Sequence, residues 1–359
     1  MKYVLIGCGR IAANHLKAAV QNGLSIAAVC DIVPEKMEEL LSKFGLEKDC
    51  SIGRYTDYKE MLSCEKPQIA AISTESGLHA QIALSCLEAG ANVIIEKPMA
   101  LSLEDADRII SSAEEKGLKV SVCHQNRFNM AVRELKRAVG EGRFGKLSHG
   151  AVCVRWNRGD NYYEQARWRG TWEQDGGCLM NQCIHGIDLL RWIMGGKVSE
   201  VCAFTRRQFH KNIEAEDVGV AVVKYENGAI ATIEGTTNVY PRNLEETLYI
   251  FGQKGTVKLG GKSCNKIELW EFEDESVDEG EIKSLTEEVT DIYGNGHISL
   301  YKDMIEAIDS GRTPFVDAYA GRSALELVLA IYKSQKEKMM VKLPLEDFAC
   351  TDMEGELWV

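Results

Sequence analysis

The sequence has few prolines, no long hydrophobic run and no excess of positive charge. Its 359 residues include only 6 prolines, which excludes a collagen-like chain. No stretch approaches the ~18 apolar residues of a membrane-spanning helix. The apolar run over residues 3–6 is too short for the core of a signal peptide. These absences predict a cytoplasmic protein with no membrane partner.

The charge balance argues against nucleic acid as a partner. Lysine and arginine number 42 against 54 aspartates and glutamates, giving a formal net charge of −12 at pH 7. Such a chain repels phosphate backbones unless it carries a concentrated basic patch, and the basic runs here are short. The hydrophobic share of 45% and charged share of 27% are typical of a soluble globular protein. At ~150 residues per domain, the length predicts two domains.

The 12 cysteines form neither a repeated spacing nor a CxxC pair, so a disulfide framework is not expected. Reduced, buried thiols in a cytosolic protein are the favoured interpretation. Cys178, Cys183 and His185 are close in sequence, but their spacing does not match a structural zinc site. The sequence therefore predicts no metal.

Short apolar strands alternate with helical segments over the first ~120 residues. The pattern predicts strands over 3–6, 25–30, 69–73, 92–96 and 119–123, and helices over 11–22, 35–43, 79–89 and 103–116. This alternation predicts a parallel sheet covered by helices on both faces. We assign residues 1–122 to this Rossmann-type, dinucleotide-binding domain.

The pattern changes after residue 122. Helices are expected over 133–140, 184–194, 299–309 and 321–338, and strands over 147–155, 218–225, 229–234, 248–251, 256–259 and 267–272. Asn227-Gly228 predicts a hairpin turn, and the acidic run 274–288 predicts a solvated loop or sheet edge. We expect residues 123–359 to form an α+β domain with a large, mostly antiparallel open sheet, although the last helices could return to the first domain. A homodimer or homotetramer would cover the outer face of that sheet.

The segment Gly7-Cys8-Gly9-Arg10-Ile11-Ala12 follows the first strand and opens the first helix. This is the arrangement of the dinucleotide-binding fingerprint, with free N–H groups at the helix start facing the pyrophosphate. Asp31 ends the second strand, where a carboxylate accepts hydrogen bonds from the ribose hydroxyls and repels a 2′-phosphate. The sequence therefore predicts NAD rather than NADP.

Two further segments contain candidate catalytic and binding residues. Glu96-Lys97-Pro98 ends a strand at the edge where ligands bind in open α/β sheets. After the Gly176-Gly177 turn, Asn181, His185 and Asp188 follow at i, i+4 and i+7, which predicts one face of a helix.

The glycine-rich loop, Glu96-Lys97-Pro98 and the segment 176–188 together resemble the glucose-fructose oxidoreductase / inositol dehydrogenase (Gfo/Idh/MocA) family. The family pattern has Asp where this chain has Asn181, and Gly where it has Cys183. Because Asn cannot act as a base, we assign proton transfer to Lys97 and His185. Which of the two is the formal base stays open.

The stretch 168–188, with Trp-Arg-Gly-Thr-Trp at its start, is similar to a subgroup of the family. That subgroup oxidises the C3 hydroxyl of UDP-N-acetylglucosaminuronic acid. Segments 125–129, 216–219, 240–245 and 294–297 extend the similarity over nearly the whole chain. The resemblance implies NAD that is held tightly and recycled by a 2-oxo acid such as 2-oxoglutarate.

The resemblance also implies the site residues. Lys97 and His185 are expected to be catalytic. The expected cofactor contacts are Gly7, Gly9, Arg10, Ile11, Asp31, Thr74, His79, Glu96, Lys97, Gln125, Trp168 and Arg169. The expected substrate contacts are Lys97, Arg127, Arg158, Arg167, Asn181, His185 and Asp188. From their chemistry, Arg127, Arg155, Arg158, Arg167 and Arg169 are candidates to bind carboxylate and diphosphate oxygens.

Three other functions stay open. A dehydrogenase of inositol, another polyol or a free sugar would need fewer arginines. An NAD-assisted glycosidase would begin with the same C3 oxidation. A non-catalytic, NAD-sensing regulator would not need Lys97 and His185.

Overall fold

The structure, a computed structural model, describes residues 1–195, 197–273, 280, 285–287 and 294–355. Most of the acidic run 274–288, predicted as a loop or sheet edge, lies outside the described residues. The chain forms two compact units. The first comprises Met1–Ala100, Glu104–Cys123 and His297–Arg322, and the second comprises Leu101–Leu103, His124–Gly296 and the chain from Ser323 onward.

The first unit is built on a six-stranded parallel sheet of order β3-β2-β1-β4-β5-β6. Its strands are β1 (Lys2–Ile6), β2 (Ser25–Cys30), β3 (Gly53–Tyr55), β4 (Ile69–Ile72), β5 (Asn92–Ile95) and β6 (Val120–Val122). Its helices are α1 (Ala12–Gln21), α2 (Pro34–Ser42), α3 (Tyr58–Glu65), α4 (His79–Glu88), α5 (Leu103–Lys116) and α9 (Gly296–Ser310). The predicted parallel Rossmann sheet is confirmed.

The carboxyl ends of these strands are aligned by main-chain hydrogen bonds that continue one residue past each strand. Ser73 N–H donates to the Ile6 carbonyl at 2.8 Å, and Glu96 N–H donates to the Ile72 carbonyl at 3.0 Å. The strands carry buried apolar side chains throughout their length, as expected for a sheet covered on both faces. One edge of the sheet therefore presents Gly7, Ser73 and Glu96 together.

The second unit contains an eight-stranded sheet of order β13-β12-β11-β7-β10-β9-β8-β14. Its strands are β7 (Leu147–Arg155), β8 (Val198–Arg206), β9 (Val218–Tyr225), β10 (Ile230–Thr236), β11 (Glu245–Gly252), β12 (Gly255–Gly260), β13 (Lys266–Phe272) and β14 (Val341–Lys342). All neighbours are antiparallel except β7 and β10. The mostly antiparallel sheet is confirmed, as is the hairpin at Asn227-Gly228, which joins β9 to β10.

Helices α6 (Met130–Gly140), α7 (Asp160–Glu164), α8 (Ile184–Met194) and α10 (Ala318–Glu337) lie mainly in the second unit. Helix α8 packs on β7 and β11. The described part of the chain contains no helix long and apolar enough to cross a membrane.

The sequence pattern misses β3, α3, α7, β8 and β14. Three of these elements have five residues or fewer, too short for a periodic signal. Strand β8 alternates buried and exposed positions and leaves Phe204 78% exposed, so hydrophobicity alone does not mark its inner face. Helix α3 begins after Asp57, whose carboxylate accepts the Lys59 N–H, a capping signal that could have been used.

A pair of glycines in the sheet makes room for the segment before α8. Gly219 on β9 and Gly235 on β10 are cross-strand partners, and the Leu179 side chain lies over both. A Cβ on Gly235 would lie 2.5 Å from Leu179 Cδ2 and 2.8 Å from Cys183 Sγ. The absence of side chains at these two positions therefore sets how closely residues 179–183 approach the sheet.

We predict that Gly235→Ala destabilises the protein, because the added methyl overpacks the site beneath Leu179. The free energy of unfolding should fall by ~1–3 kcal/mol in urea denaturation. Gly140→Ala is the matched control, since no atom lies within 4 Å of its Cβ position, and it should be neutral or stabilising. Equal stabilities for the two variants would contradict this packing.

Candidate active site

The glycine-rich turn after β1 is held against two neighbouring strands. Gly7 has φ +90°, and a Cβ there would lie 2.7 Å from the Ser73 carbonyl group, so only glycine fits. Cys8 N–H donates to Asp31 Oδ2 at 2.8 Å, which ties the turn to the end of β2. Around Gly9 the outer side of the turn is open, with no atom within 4 Å of its Cβ position. The backbone can therefore be approached closely by a pyrophosphate at the start of α1.

The end of β2 fits NAD. Asp31 Oδ1 also accepts the Val33 N–H at 2.9 Å, so both carboxylate oxygens are fixed in place beside the turn. The next residue, Ile32, is 82% exposed and provides no cation for a 2′-phosphate. Gly7, Gly9 and Asp31 are the residues that would hold the pyrophosphate and the adenosine ribose.

Lys97 follows β5 and is half-buried. Its backbone N–H donates to Glu96 Oε2 at 3.1 Å. Glu96 Oε1 lies 3.0 Å from Nε2 of His15 and 3.0 Å from Nε2 of His297. Burial alone would raise the pKa of Glu96, but the two imidazole hydrogen bonds hold it well below its ordinary value. The structure thus places Glu96 in a buried cluster directly before Lys97.

His79 joins two loops at the same edge of the sheet. Its Nδ1 donates to the Pro98 carbonyl at 2.7 Å, and its Nε2 lies 3.2 Å from the Thr74 carbonyl. The side chain is buried, and burial lowers the pKa of His79. Its contacts place Thr74 and the residues after Lys97 relative to each other.

In the second unit, Asn181, His185 and Asp188 lie on one helical segment whose winding changes between Asn181 and His185. Residues Leu179–Cys183 form a π-helical turn, and α8 begins at Ile184. The turn is anchored at Leu179, whose side chain lies over the glycine pair and whose N–H donates to Glu216 Oε1 at 2.7 Å. Asn181 therefore lies in the π-helical turn that leads directly into the helix carrying His185 and Asp188.

The Asn181 amide is held by a carboxylate that the sequence did not single out. Its Nδ2–H donates to Asp175 Oδ1, and its Oδ1 accepts a hydrogen bond from the Gln182 amide. Asp175 is buried, and its other oxygen accepts the Gly170 N–H at 2.7 Å. No spacing rule marks Asp175, because the turn that directs it at Asn181 is irregular.

His185 and Asp188 have different surroundings. His185 is half-buried, with its ring 6.0 Å from the His124 ring in an edge-on arrangement. Asp188 is fully buried and accepts hydrogen bonds from Arg127 Nε at 2.7 Å and Nη2 at 2.5 Å. Burial would raise the pKa of Asp188, but the charges of Arg127 and His124 hold it well below its ordinary value. Arg127 is 2% exposed, and this ion pair lies inside the unit.

Three of the other candidate arginines divide into two groups. Arg155 forms ion pairs with Glu234 and Glu245 at 2.5 Å each. Arg158 and Arg169 instead stack on Tyr162, with the guanidinium carbon 5.3 Å and 4.2 Å from the ring centre.

The segment around the stacked arginines borders a pocket of about 710 Å³. Its lining includes Arg167, Trp168, Trp172 and Arg207, together with the carboxylates Glu173, Glu214 and Glu354. Trp168 also stacks under Arg169, with 4.6 Å between the guanidinium carbon and the ring centre. Arginine and aromatic side chains are therefore concentrated in one part of the second unit.

Two buried glutamates were not predicted. Burial raises the pKa of Glu216 and of Glu246 to about 8 each. Glu216 Oε1 accepts hydrogen bonds from the Leu179 N–H and, at 3.0 Å, from the Tyr332 hydroxyl. Acidic residues are usually exposed, so nothing in the sequence predicts that these two are buried.

We predict that Glu216 and Glu246 each contribute stability that is lost as the pH rises from about 5 to 8. A carboxyl whose pKa is higher in the folded than in the unfolded protein holds its proton more tightly when folded, so each pH increase in this range favours unfolding. At pH 8, the free energy of unfolding of Glu216→Gln should exceed that of the wild type by on the order of a few kcal/mol. The free energy of unfolding of this variant should also change less steeply with pH. Urea denaturation at several pH values measures both quantities.

Glu115→Gln at an exposed position controls for the amide substitution itself. This variant should show the same change in the free energy of unfolding with pH as the wild type. A Glu216→Gln variant with the same pH dependence as the wild type would contradict a protonated, buried Glu216.

Two family models match the chain. Residues 1–124 match the oxidoreductase family model with an NAD-binding Rossmann fold. Residues 132–258 match the model of the GFO/IDH/MocA C-terminal domain. The two matches fall on the parallel-sheet unit and on the unit with the eight-stranded sheet.

Among solved structures, the chain is similar to the WlbA dehydrogenase from Bordetella pertussis, solved in complex with NADH and UDP-GlcNAcA. The two are 37% identical over 96% of this chain and 98% of that chain, with a TM-score of 0.90. The WlbA enzyme from Chromobacterium violaceum, solved with the same ligands, is also 37% identical over 96% of each chain, with a TM-score of 0.88. Among curated proteins, myo-inositol 2-dehydrogenase from Thermotoga maritima is 27% identical over 96% of this chain and 98% of its own length. The chain belongs to the Gfo/Idh/MocA family and is an NAD-dependent oxidoreductase of the kind that acts on sugars and polyols.

Proposed function

We propose that the protein oxidises the C3 hydroxyl of UDP-N-acetylglucosaminuronate (UDP-GlcNAcA) to the 3-keto sugar. The observation that carries this proposal is the 37% identity, over 96% of the chain, to a dehydrogenase solved with NADH and UDP-GlcNAcA. The similarity spans both units, and therefore includes the cofactor turn as well as the residues proposed for the substrate.

The chemistry of the second unit supports a nucleotide sugar. A diphosphate and a uronate carboxylate need cations, and guanidinium groups match their oxygens with paired N–H donors. Arg158 and Arg169 are fixed by stacking on Tyr162, while Arg167 borders the neighbouring pocket. Preoriented arginines bind an anion with less loss of side-chain entropy. These cations lie on a chain whose net charge is −12, so the remaining surface repels other polyanions.

We propose His185 as the general base that takes the hydroxyl proton. An imidazole has an unperturbed pKa near neutral pH and needs little tuning for this task. Lys97 donates a hydrogen bond to the same oxygen and stabilises the alkoxide as it forms. NAD⁺, when bound, supplies the acceptor for the hydride that leaves C3.

Asn181 has a positioning role in this scheme. Its amide is fixed by Asp175 and Gln182, so it can hold a substrate hydroxyl without taking a proton. Asp188 lies on α8, which also carries His185, and its buried ion pair with Arg127 holds that helix in place. Both residues therefore act on the substrate site through the orientation of α8.

A second candidate is a polyol dehydrogenase. The myo-inositol 2-dehydrogenase of Thermotoga maritima spans 96% of this chain at 27% identity. Inositol carries neither diphosphate nor carboxylate, so this function leaves the stacked arginines without a ligand.

The proposal extends to partners and location. We propose that a 2-oxo acid such as 2-oxoglutarate reoxidises the bound NADH, that the chain forms a homodimer or homotetramer, and that it acts in the cytoplasm. Apolar residues exposed on β8 and β9 support an interface between subunits. The free thiols support the cytoplasm.

We predict that UDP-GlcNAcA reduces enzyme-bound NAD⁺ and that myo-inositol and free hexoses do not. NADH absorbance measures the reaction, and mass spectrometry identifies the keto sugar. Turnover with myo-inositol and none with UDP-GlcNAcA would replace the proposal with the second candidate. Release of free UDP or sugar would indicate a glycosidase.

Lys97→Ala and His185→Ala should each lower kcat by ~10²–10⁴-fold while NAD binding is kept. Lys302→Ala and His149→Ala, at exposed positions of α9 and β7, are the matched controls and should leave kcat unchanged. Full activity in either site variant would remove that residue from the mechanism.

A further inference from the structure

Four side chains with metal-ligating atoms meet in the core of the first unit. They are His15 of α1, Glu96 after β5, Cys123 after β6 and His297 of α9. All four are buried, and one ligand atom from each lies within 4.8 Å of those from the other three. In the described part of the chain, this is the one group of His, Cys, Asp and Glu with such an arrangement.

The cluster is centred on the Glu96 carboxylate. Nε2 of His15 and Nε2 of His297 each lie 3.0 Å from Glu96 Oε1. The two imidazole rings meet edge to face, with their centres 5.2 Å apart. The Cys123 N–H donates to the Ile95 carbonyl at 2.8 Å, which sets the thiol beside the carboxylate. Backbone hydrogen bonds to the neighbouring strands therefore position two of the four residues, Glu96 and Cys123.

A second layer of hydrogen bonds orients His15. Its Nδ1 lies 2.7 Å from the Tyr301 hydroxyl, which in turn lies 3.0 Å from the Tyr3 hydroxyl. Metal-binding histidines commonly use their second nitrogen in this way, which fixes the tautomer and directs the other nitrogen at the metal. His297 Nδ1 is buried, with no hydrogen-bond partner among the described residues.

The chemical types of the four ligand atoms favour one metal ion. Two nitrogens, one sulfur and one oxygen suit Zn²⁺, which prefers four ligands of these kinds, whereas Mg²⁺ and Ca²⁺ prefer oxygen. A tetrahedron with Zn–N of ~2.0 Å and one Zn–S of ~2.3 Å has edges of roughly 3.3–3.6 Å. The ligand atoms of the cluster therefore need to move by about 1 Å or less.

We propose that His15, Glu96, Cys123 and His297 form a structural Zn²⁺ site. Zn²⁺ displaces the thiol proton of Cys123, so that one thiolate and one carboxylate balance the two charges of the metal in a buried place. All four positions are filled by protein, as in structural rather than catalytic zinc sites. The ion would join α1 and α9 to the ends of β5 and β6, directly before Lys97. Its binding would not depend on a substrate.

Zinc content and cobalt spectra test the site on the full-length protein. Protein loaded with Zn²⁺ and dialysed should retain one ion per chain, measured by plasma mass spectrometry, and Zn²⁺ should raise its melting temperature. Loading with Co²⁺ should produce the near-ultraviolet band of a thiolate–cobalt bond. Cys123→Ser and His297→Gln should each weaken Zn²⁺ binding by at least about 10-fold, and Cys123→Ser should remove the band.

Two controls separate the site from unspecific effects. His297→Gln keeps an N–H that can donate to Glu96, so its fold is preserved while its ligand is lost. Cys86→Ser removes another buried thiol of the same unit and should keep both the ion and the cobalt band. The proposal is overturned if the wild type retains no zinc, or if Cys123→Ser binds zinc and cobalt as the wild type does. The latter result would place the ion at exposed thiols such as Cys50 and Cys64.

Discussion

The parallel register of the six-stranded sheet is the constraint on which the first unit depends. The carbonyls that end β1, β4 and β5 each accept the N–H of the residue after the neighbouring strand: Ser73, Glu96 and Cys123. A slip of one residue would turn every one of these side chains to the opposite face. The glycine turn would then lose its contact with Ser73, and Lys97 would no longer follow a buried carboxylate. The cofactor turn, the proposed catalytic lysine and the buried cluster are thus consequences of the same pairing.

In the second unit, the equivalent constraint is close packing against the sheet. Leu179 lies over Gly219 and Gly235, and its N–H reaches the buried Glu216. This anchoring is accompanied by a π-helical turn in place of a straight helix, and the turn brings Asn181 to Asp175. The residues proposed to face the substrate are therefore positioned by groups inside the second unit, including the buried Glu216, whose pKa is raised by burial to about 8.

The sequence predicted the parts of the structure that depend on neighbouring residues. The alternation of apolar strands and helices predicted the bounds of α5, β7 and α8 without error, and the glycine spacing with Asp31 predicted an NAD-binding domain. The π-helical turn could not be predicted, because it depends on contacts with glycines about 40 and 56 residues away in sequence. The cluster around Glu96 joins positions 15 to 297, so no local spacing marks it.

The most direct measurement of the proposed function follows the hydrogen on C3 of the sugar. UDP-GlcNAcA carrying deuterium at C3 is mixed with the NAD⁺-loaded protein, and both products are analysed by mass spectrometry. We predict that the nicotinamide gains the deuterium while the keto sugar loses it, and that the reduction is slower than with the unlabelled sugar. Deuterium that stays on the sugar while NADH forms, or the absence of any NADH, would contradict oxidation at C3.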